Sequence, residues 1–355
     1  MIIVAMSIPA YIIKRVLLAI PTILIISVIG FTLMRFDFTI PFTTIEVKNP
    51  IDPLAYMRNN PAIRQDAIEK EEKRLGLDKP MTVQYGIWFK QVFQFHPEAL
   101  AHGNPGGFFT PDLGKTNTND DVALLIKERA GNTLLLNLCV LIVTWLIAIP
   151  LGVYAALRWR STLDRMLTAF ASIGMSFPSF VLALLLAMFA VKTGLLPLGG
   201  ITSPNHDTMT LFQKVGDIGY HLILPGIVMT VGGLAGLQRQ MRGNLLDVLE
   251  SEYIRTARAK GLPENTVIYK HAVRTAINPL VTMMGYEVSA LLSGSVLVET
   301  VLGFPGLGQL MYKAAIETDV NLVMASLMMS AILLVLGNLI TDILLKLVDP
   351  RIEVG

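Results

Sequence analysis

One cysteine, Cys139, is all the thiol this sequence carries, so an internal disulfide framework is impossible. It stands inside an apolar run, where a lone thiol behaves as a small hydrophobe. Charge is scarce as well: Asp, Glu, Lys and Arg make up 16% of the residues against 53% hydrophobic ones, too little for an ordinary soluble domain. Histidine is confined to five scattered positions and neither HExxH nor GxSxG occurs, which removes the common zinc- and serine-hydrolase arrangements. A phosphate-binding loop is missing too. Gly114-Lys115-Thr116 imitates the end of one, but Phe109 stands where the earlier glycine is required. The chain is therefore expected to hold no catalytic residue, no metal ligands and no nucleotide site, and nothing in it points to nucleic acid.

What the sequence has in abundance is long apolar runs of about 20 residues, the length a helix needs to cross a bilayer. Spans are predicted at 12–34, 132–157, 167–191, 221–238, 279–299 and 322–346. The first is too long for a secretory signal core and lacks a small-x-small cleavage site near Arg35, so it reads as an anchored helix. Basic residues set the orientation, because Lys and Arg in short loops stay on the cytoplasmic side. Lys14 and Arg15, then Arg158, Arg160 and Arg165, then Arg239 to Arg274, and finally Arg351 all fall on one side. Both termini are thus expected in the cytoplasm.

The first helix with its cytoplasmic end covers 1–35, an extracytoplasmic segment 36–131, and a five-helix core 132–355 with a cytoplasmic loop at 239–279. In the outer segment, 62–75 reads as a charged helix stopped by Gly76 and Pro80. Residues 96–119 combine prolines and glycines without a sustained period and read as loop.

The most informative stretch is EYIRTARAKGLPENTVIYKHAVRTAINP, from Glu252 to Pro279, charged and helix-like between two apolar runs. Ile254, Ala257 and Gly261 recur at helical spacing while Arg255 and Arg258 share another face, so one side packs and the other meets solvent or a partner. Gly261 ends the short helix, Leu262-Pro263 turns the chain, and a second helical stretch from about Glu264 leads back to the bilayer. An amphipathic hairpin lying on anionic lipid would also be basic, but would not require a turn at Gly261.

These residues carry a resemblance. EYIRTARAKGL followed by VIYKHAVRTAINPLVT resembles the loop that couples permeases of ABC importers to their ATPases, in the form used by the dipeptide/oligopeptide/nickel group. LGLDKPMTVQY (75–85), IPLGVYAALRWRSTLDR (149–165), SFPSFVLALLL (176–186), GSVLVETVLGFPGLGQL (294–310) and NLITDILLKLVDPRI (338–352) are similar to the same permeases, in order along nearly the whole chain. The resemblance implies an all-α, polytopic six-helix type I ABC importer permease fold with a long extracytoplasmic segment after the first helix, of the B-type, in the bacterial inner membrane.

It also implies partners: a second, C-type permease, two cytoplasmic ABC ATPases that bind the ATP and Mg, an extracytoplasmic substrate-binding protein, and membrane lipid. Coupling to the ATPases would fall to Tyr253, Ile254, Arg255, Thr256, Ala257, Arg258, Ala259, Lys260, Gly261 and Leu262. The chain departs from the pattern where the family's Glu-Ala-Ala triplet is replaced by Arg255, Thr256 and Ala257, which removes an acidic contact.

Within the spans, Gly232 with Gly236, and Gly285 with Ser289 and Ser293, are predicted seams of close helix approach. Glu287, a carboxylate at membrane depth, is the candidate pathway-lining group, against a structural role as a hydrogen-bonded acid. The competing function is an ion-coupled secondary transporter, which would favour inverted repeats and coupling carboxylates.

Overall fold

A computed structural model of the chain describes residues 8–35, 38–39, 46–47, 52–58, 61–94, 111–281, 283–284 and 296–348. Among the described residues the regular structure is helical apart from a two-residue antiparallel pair, β1 (Phe38–Thr39) and β2 (Glu46–Val47), and a single bridge between Lys115 and Asp121. Helix α1 spans Ile8–Arg35; α2 (Ala55–Arg58), α3 (Gln65–Leu75) and α4 (Met81–Val92) follow it, and α5 runs from Val122 to Leu157. Next come α6 (Thr162–Ser176), α7 (Ser179–Thr193), α8 (Leu211–Leu249) and α9 (Glu252–Ala259). Beyond a π-helical stretch at Thr266–Val273 lie α10 (Val296–Leu302), α11 (Leu307–Ile316) and α12 (Val320–Val348).

Among the described residues α5, α8 and the Val320–Thr341 part of α12 are long and apolar enough to cross a membrane, and α1 adds a shorter apolar run, Leu17–Thr32. The predicted span 167–191 is not one straight helix. It divides into α6 and α7, bent by 96°. Pro178 is the cause: it forces Phe177 out of the helical region, to φ −87° and ψ 121°, and starts α7 afresh. Of the predicted span 279–299, residues 285–295 lie outside the described ones, and with them Glu287, Gly285, Ser289 and Ser293.

The chain forms two compact units. One comprises 11–130 and 310–332. In it α3 ends where Gly76 takes φ +65°, and α4 returns to place Tyr85 and Trp88 around the buried Phe31 of α1, with Val320 and Met324 completing the cluster. Ser27 and Tyr85 share a 2.8 Å hydrogen bond between hydroxyls. Arg74 donates to Glu71 and, at 2.7 Å, to Asp112. The Gly114-Lys115-Thr116 stretch is a turn: the Thr116 hydroxyl accepts from the amides of Thr118 and Asp120, and Asp121 then caps α5 through the amides of Ala123 and Leu124.

The other unit comprises 1–10, 131–309 and 333–355. Its largest hydrophobic cluster joins Ala148, Val153 and Ala156 of α5, Leu237, Met241 and Leu245 of α8, Ile254 of α9, and Val267, Ala272, Ala276 and Leu280. A second cluster packs Ala183, Ala187 and Ala190 of α7 against Leu224 and Val228 of α8 and Val298 and Leu302 of α10. Among the described glycines inside helices the closest approach is at Gly152, where an added Cβ would lie 2.7 Å from Met241 Cβ and 2.8 Å from the Gln238 carbonyl oxygen. Gly232 and Gly236, the seam expected from their spacing, meet nothing within 4 Å. Small-residue spacing permits an approach, but only the facing helix decides where one occurs.

Candidate functional site

Helix α9 has eight residues, far below the length at which an isolated helix persists in water, so tertiary packing must hold it. The anchor is Ile254, with no exposed surface, a member of the buried cluster that also holds Met241, Leu245 and Val267. Ala257, one turn later, is half-buried on the same foot. Tyr253, Arg255, Thr256, Arg258, Ala259, Lys260, Gly261 and Leu262 are exposed. One face of α9 is thus fixed to the helical core while the other is free.

The turn after α9 is stapled by charge. Gly261 adopts φ +74°, a conformation that side chains with a Cβ rarely take, and its amide donates to the Arg258 carbonyl at 2.9 Å. Across it, the Arg258 guanidinium donates to both oxygens of Glu264, at 2.7 and 3.2 Å, and this contact raises the arginine's pKa. Arg255 pairs with Glu252 at 2.8 Å. The departure from Glu-Ala-Ala therefore leaves arginines whose carboxylate partners come from either end of the loop. From Thr266 the chain returns through the π-helical stretch, which seats Val267 and Ala272 in the core and leaves Tyr269 and Lys270 outside.

The base on which α9 stands is also tied by polar contacts. Asp164, buried at the start of α6, receives two hydrogen bonds from Arg242 of α8, at 2.6 and 2.9 Å, and a third from the Arg160 amide at 3.0 Å. Asn244 donates to the Ala276 carbonyl at 3.1 Å, joining α8 to the returning helical limb of the loop. Helix α9 is thus joined to α5 and α8 through one packed cluster, and α8 to α6 through an ion pair.

Sequence reasoning missed two other constellations. Glu299 was read as the outer end of a span, yet it is fully buried and caged. The Thr133 hydroxyl donates to Oε1 at 3.1 Å, the Gln309 amide to Oε2 at 2.9 Å, and the Gly308 amide adds another contact. Thr133 in turn accepts from the Leu307 amide at 2.7 Å. Gly306 and Gly308 make the cage possible, since a Cβ on either would collide with the carboxylate. The signal in the sequence was the pair of glycines following a lone acid by seven and nine residues.

The second is at Asp217, which accepts from Ser203 Oγ at 2.5 Å and the Ser203 amide at 2.9 Å and meets His206 Nδ1 at 2.7 Å. His221 is buried beside it, with Nδ1 2.9 Å from the Asp217 carbonyl oxygen. This knot pins the loop before α8 to the helix itself. Among the described residues no group of three or more His, Cys, Asp or Glu side chains is arranged to hold a metal ion.

Comparison with known proteins places this arrangement. Residues 148–354 match the family described as binding-protein-dependent transport system inner membrane component, and residues 8–137 match the N-terminal part of such membrane components. The chain belongs to this family. The permease is 39% identical to the oligopeptide transport system permease protein AppB of Bacillus subtilis, over 97% of this chain and 99% of that one. It is 31% identical to the dipeptide transport system permease protein DppB of Alkalihalophilus pseudofirmus, with the same coverage. Against the oligopeptide transport system permease protein OppB of Mycobacterium tuberculosis it is 31% identical, over 86% of this chain and 90% of that protein. A chain of the inward-facing methionine ABC transporter MetNI superposes with a TM-score of 0.46 at 17% identity, covering 62% of this chain and 97% of that one, and the assignment does not rest on it. The permease is accordingly a B-type peptide ABC permease with the type I helical fold, a multi-pass protein of the inner membrane.

Proposed function

We propose that the chain is the non-catalytic permease subunit of an ATP-driven peptide importer, forming the translocation path with a second, C-type permease. Two cytoplasmic ATPases bind the ATP and Mg, and an extracytoplasmic binding protein delivers the peptide. Tyr253 through Leu262 dock on an ATPase, and both termini lie in the cytoplasm. The observation that carries this reading is α9: a short helix seated on the core by Ile254, with its outer face free, in a chain of a binding-protein-dependent transport family. A helix so mounted passes the closure of an ATPase pair to α5, α6 and α8 as a rigid movement.

Peptides are the cargo that the relatives' names support, AppB and OppB for oligopeptides and DppB for dipeptides. Glu287 remains the proposed lining group, to be tested by Glu287→Gln; unchanged uptake of every peptide would remove it from that role. The reading as a whole is tested in proteoliposomes holding the assembled importer. Uptake is expected to stop when ATP is depleted while a proton or sodium gradient is maintained. Uptake sustained by the gradient alone would favour the ion-coupled alternative.

A further inference from the structure

On the predicted cytoplasmic side some basic residues pair with carboxylates and others, Lys260, Lys270 and Arg274 of the α9 loop among them, have no ion pair among the described residues. In the α9 loop Arg255 and Arg258 are each neutralised by a glutamate. In the turn joining α5 to α6, Arg158, Arg160 and Arg165 are all exposed and, among the described residues, none pairs with a carboxylate. The nearby acid, Asp164, is buried and its two oxygens are taken by Arg242.

The turn is built to present these three groups. The Ser161 amide closes it on the Arg158 carbonyl at 2.9 Å, and Arg160 is held at φ +62°, which L side chains rarely adopt, while its amide donates to Asp164. The Arg160 guanidinium lies 4.3 Å from the centre of the Trp159 ring, and that of Arg158 lies 5.8 Å from the Tyr154 ring. Arg165 donates back to the Arg160 carbonyl at 3.3 Å, so the third guanidinium adjoins the same turn. From this turn an apolar stripe continues along α6 through Leu163, Met166, Phe170 and Ile173, all exposed, with Phe170 at 75%.

Unpaired guanidiniums, an exposed tryptophan at their centre and an apolar stripe leading away from them match an amphiphile with a phosphate head. We infer that the α5–α6 turn is a binding site for an anionic phospholipid, its phosphate on Arg158, Arg160 and Arg165 and its acyl chains along Leu163, Met166 and Phe170. Planar guanidinium groups suit a phosphate oxygen pair, and a soluble phosphate ester would have no use for the stripe. The site adjoins the Asp164–Arg242 pair through the Arg160 amide, which donates to Asp164. The inference rests on the proposed cytoplasmic placing of the turn.

The test uses the full chain in mixed micelles containing phosphatidylglycerol or phosphatidylcholine, with bound lipid counted by native mass spectrometry. An arginine near an anionic surface shifts binding by roughly fivefold, so preference for phosphatidylglycerol should exceed about tenfold with only two of the three engaged. R158Q/R160Q/R165Q should abolish it, and the milder R160Q, which keeps two arginines if the triple variant fails to fold, should lower it by roughly fivefold. R255Q/R258Q/K260Q, with the same charge removed elsewhere, should keep it. Equal retention of both lipids by the native chain, or undiminished preference in the Arg158/160/165 variants, overturns the inference. Saturation by soluble glycerol 3-phosphate at millimolar concentration overturns it in favour of a free-phosphate site. Loss of the preference on assembly with the second permease overturns it in favour of a protein contact at the stripe. Lipid retention requires no ATPase, so failure here leaves the transport function standing, and the converse holds.

Discussion

Ile254→Ala is the sharpest perturbation the structure offers, because it removes the foot of α9 while leaving its exposed face intact. The side chain is completely buried, in the cluster that also holds Met241, Leu245 and Val267. Truncating such an isoleucine costs about 2–5 kcal/mol, the transfer loss plus a cavity that collapses only in part. The neighbouring ion pairs cannot compensate: Arg255–Glu252 and Arg258–Glu264 are exposed, and exposed pairs contribute about 0–1 kcal/mol each. An eight-residue helix has almost no stability of its own. The variant should therefore release α9 locally while the spans stay folded. Hydrogen exchange on the purified chain should show loss of protection across 252–262 with protection in α5 and α8 retained. In the assembled importer, uptake should fall by at least about tenfold, as expected for losing more than 1.4 kcal/mol of positioning. Ile254→Val, costing about 0.5–1.5 kcal/mol, should lie between. Unchanged protection in 252–262 of the Ala variant would refute the anchoring argument.

Gly261→Val should uncouple ATP hydrolysis from uptake, because a β-branched residue at φ +74° must move the turn, although nothing stands within 4 Å of its Cβ; it is checked by the ratio of peptide transported to phosphate released. Asp164→Asn leaves Arg242 without its counter-charge and should lower the thermal stability of the detergent-solubilised chain by about 3 kcal/mol or more, the cost of breaking a buried pair. The double variant Asp164→Asn, Arg242→Gln should lose less than the sum of the two single ones, and a strictly additive cycle would argue against direct coupling. Glu299→Gln places an amide NH2 against the Gly308 or Gln309 amide or the Thr133 hydroxyl, all donors to the carboxylate, and should cost about 1–3 kcal/mol in the same melting assay.

Much of the arrangement was legible because it depends on local rules. Gly76 and Gly261, each at a positive φ, end helices where the sequence places them. The hydrophobic runs at 132–157, 221–238 and 322–346 fall inside α5, α8 and α12. Phe177–Pro178 was legible in principle too, since the residue before proline avoids the helical region, but a continuous apolar run from 167 to 191 masked the break. What escaped depends on partners distant in the chain. Nothing near Glu299 in sequence announces Thr133, and nothing near Gly152 announces Met241, whereas Gly232 and Gly236 had the right spacing and, among the described residues, nothing within 4 Å of an added Cβ. Nothing near Asp217 in sequence announces that Ser203 and His206, 14 and 11 residues earlier, close on its carboxylate. In the candidate coupling loop the packed face was readable from the spacing of Ile254 and Ala257; the glutamates that hold its arginines were not.

The central claim is that α9 presses on a nucleotide-hydrolysing companion, and site-directed cross-linking tests it most directly. A photoreactive residue at Arg255, outside the packed foot, should form an ATP-sensitive adduct with an ATPase subunit in membranes of the producing cell. The same probe at Tyr312 of α11, exposed but on the predicted outer side, should form none. An adduct with an extracytoplasmic protein at Arg255, or no ATPase adduct along 253–262 in transport-active membranes, would contradict the account.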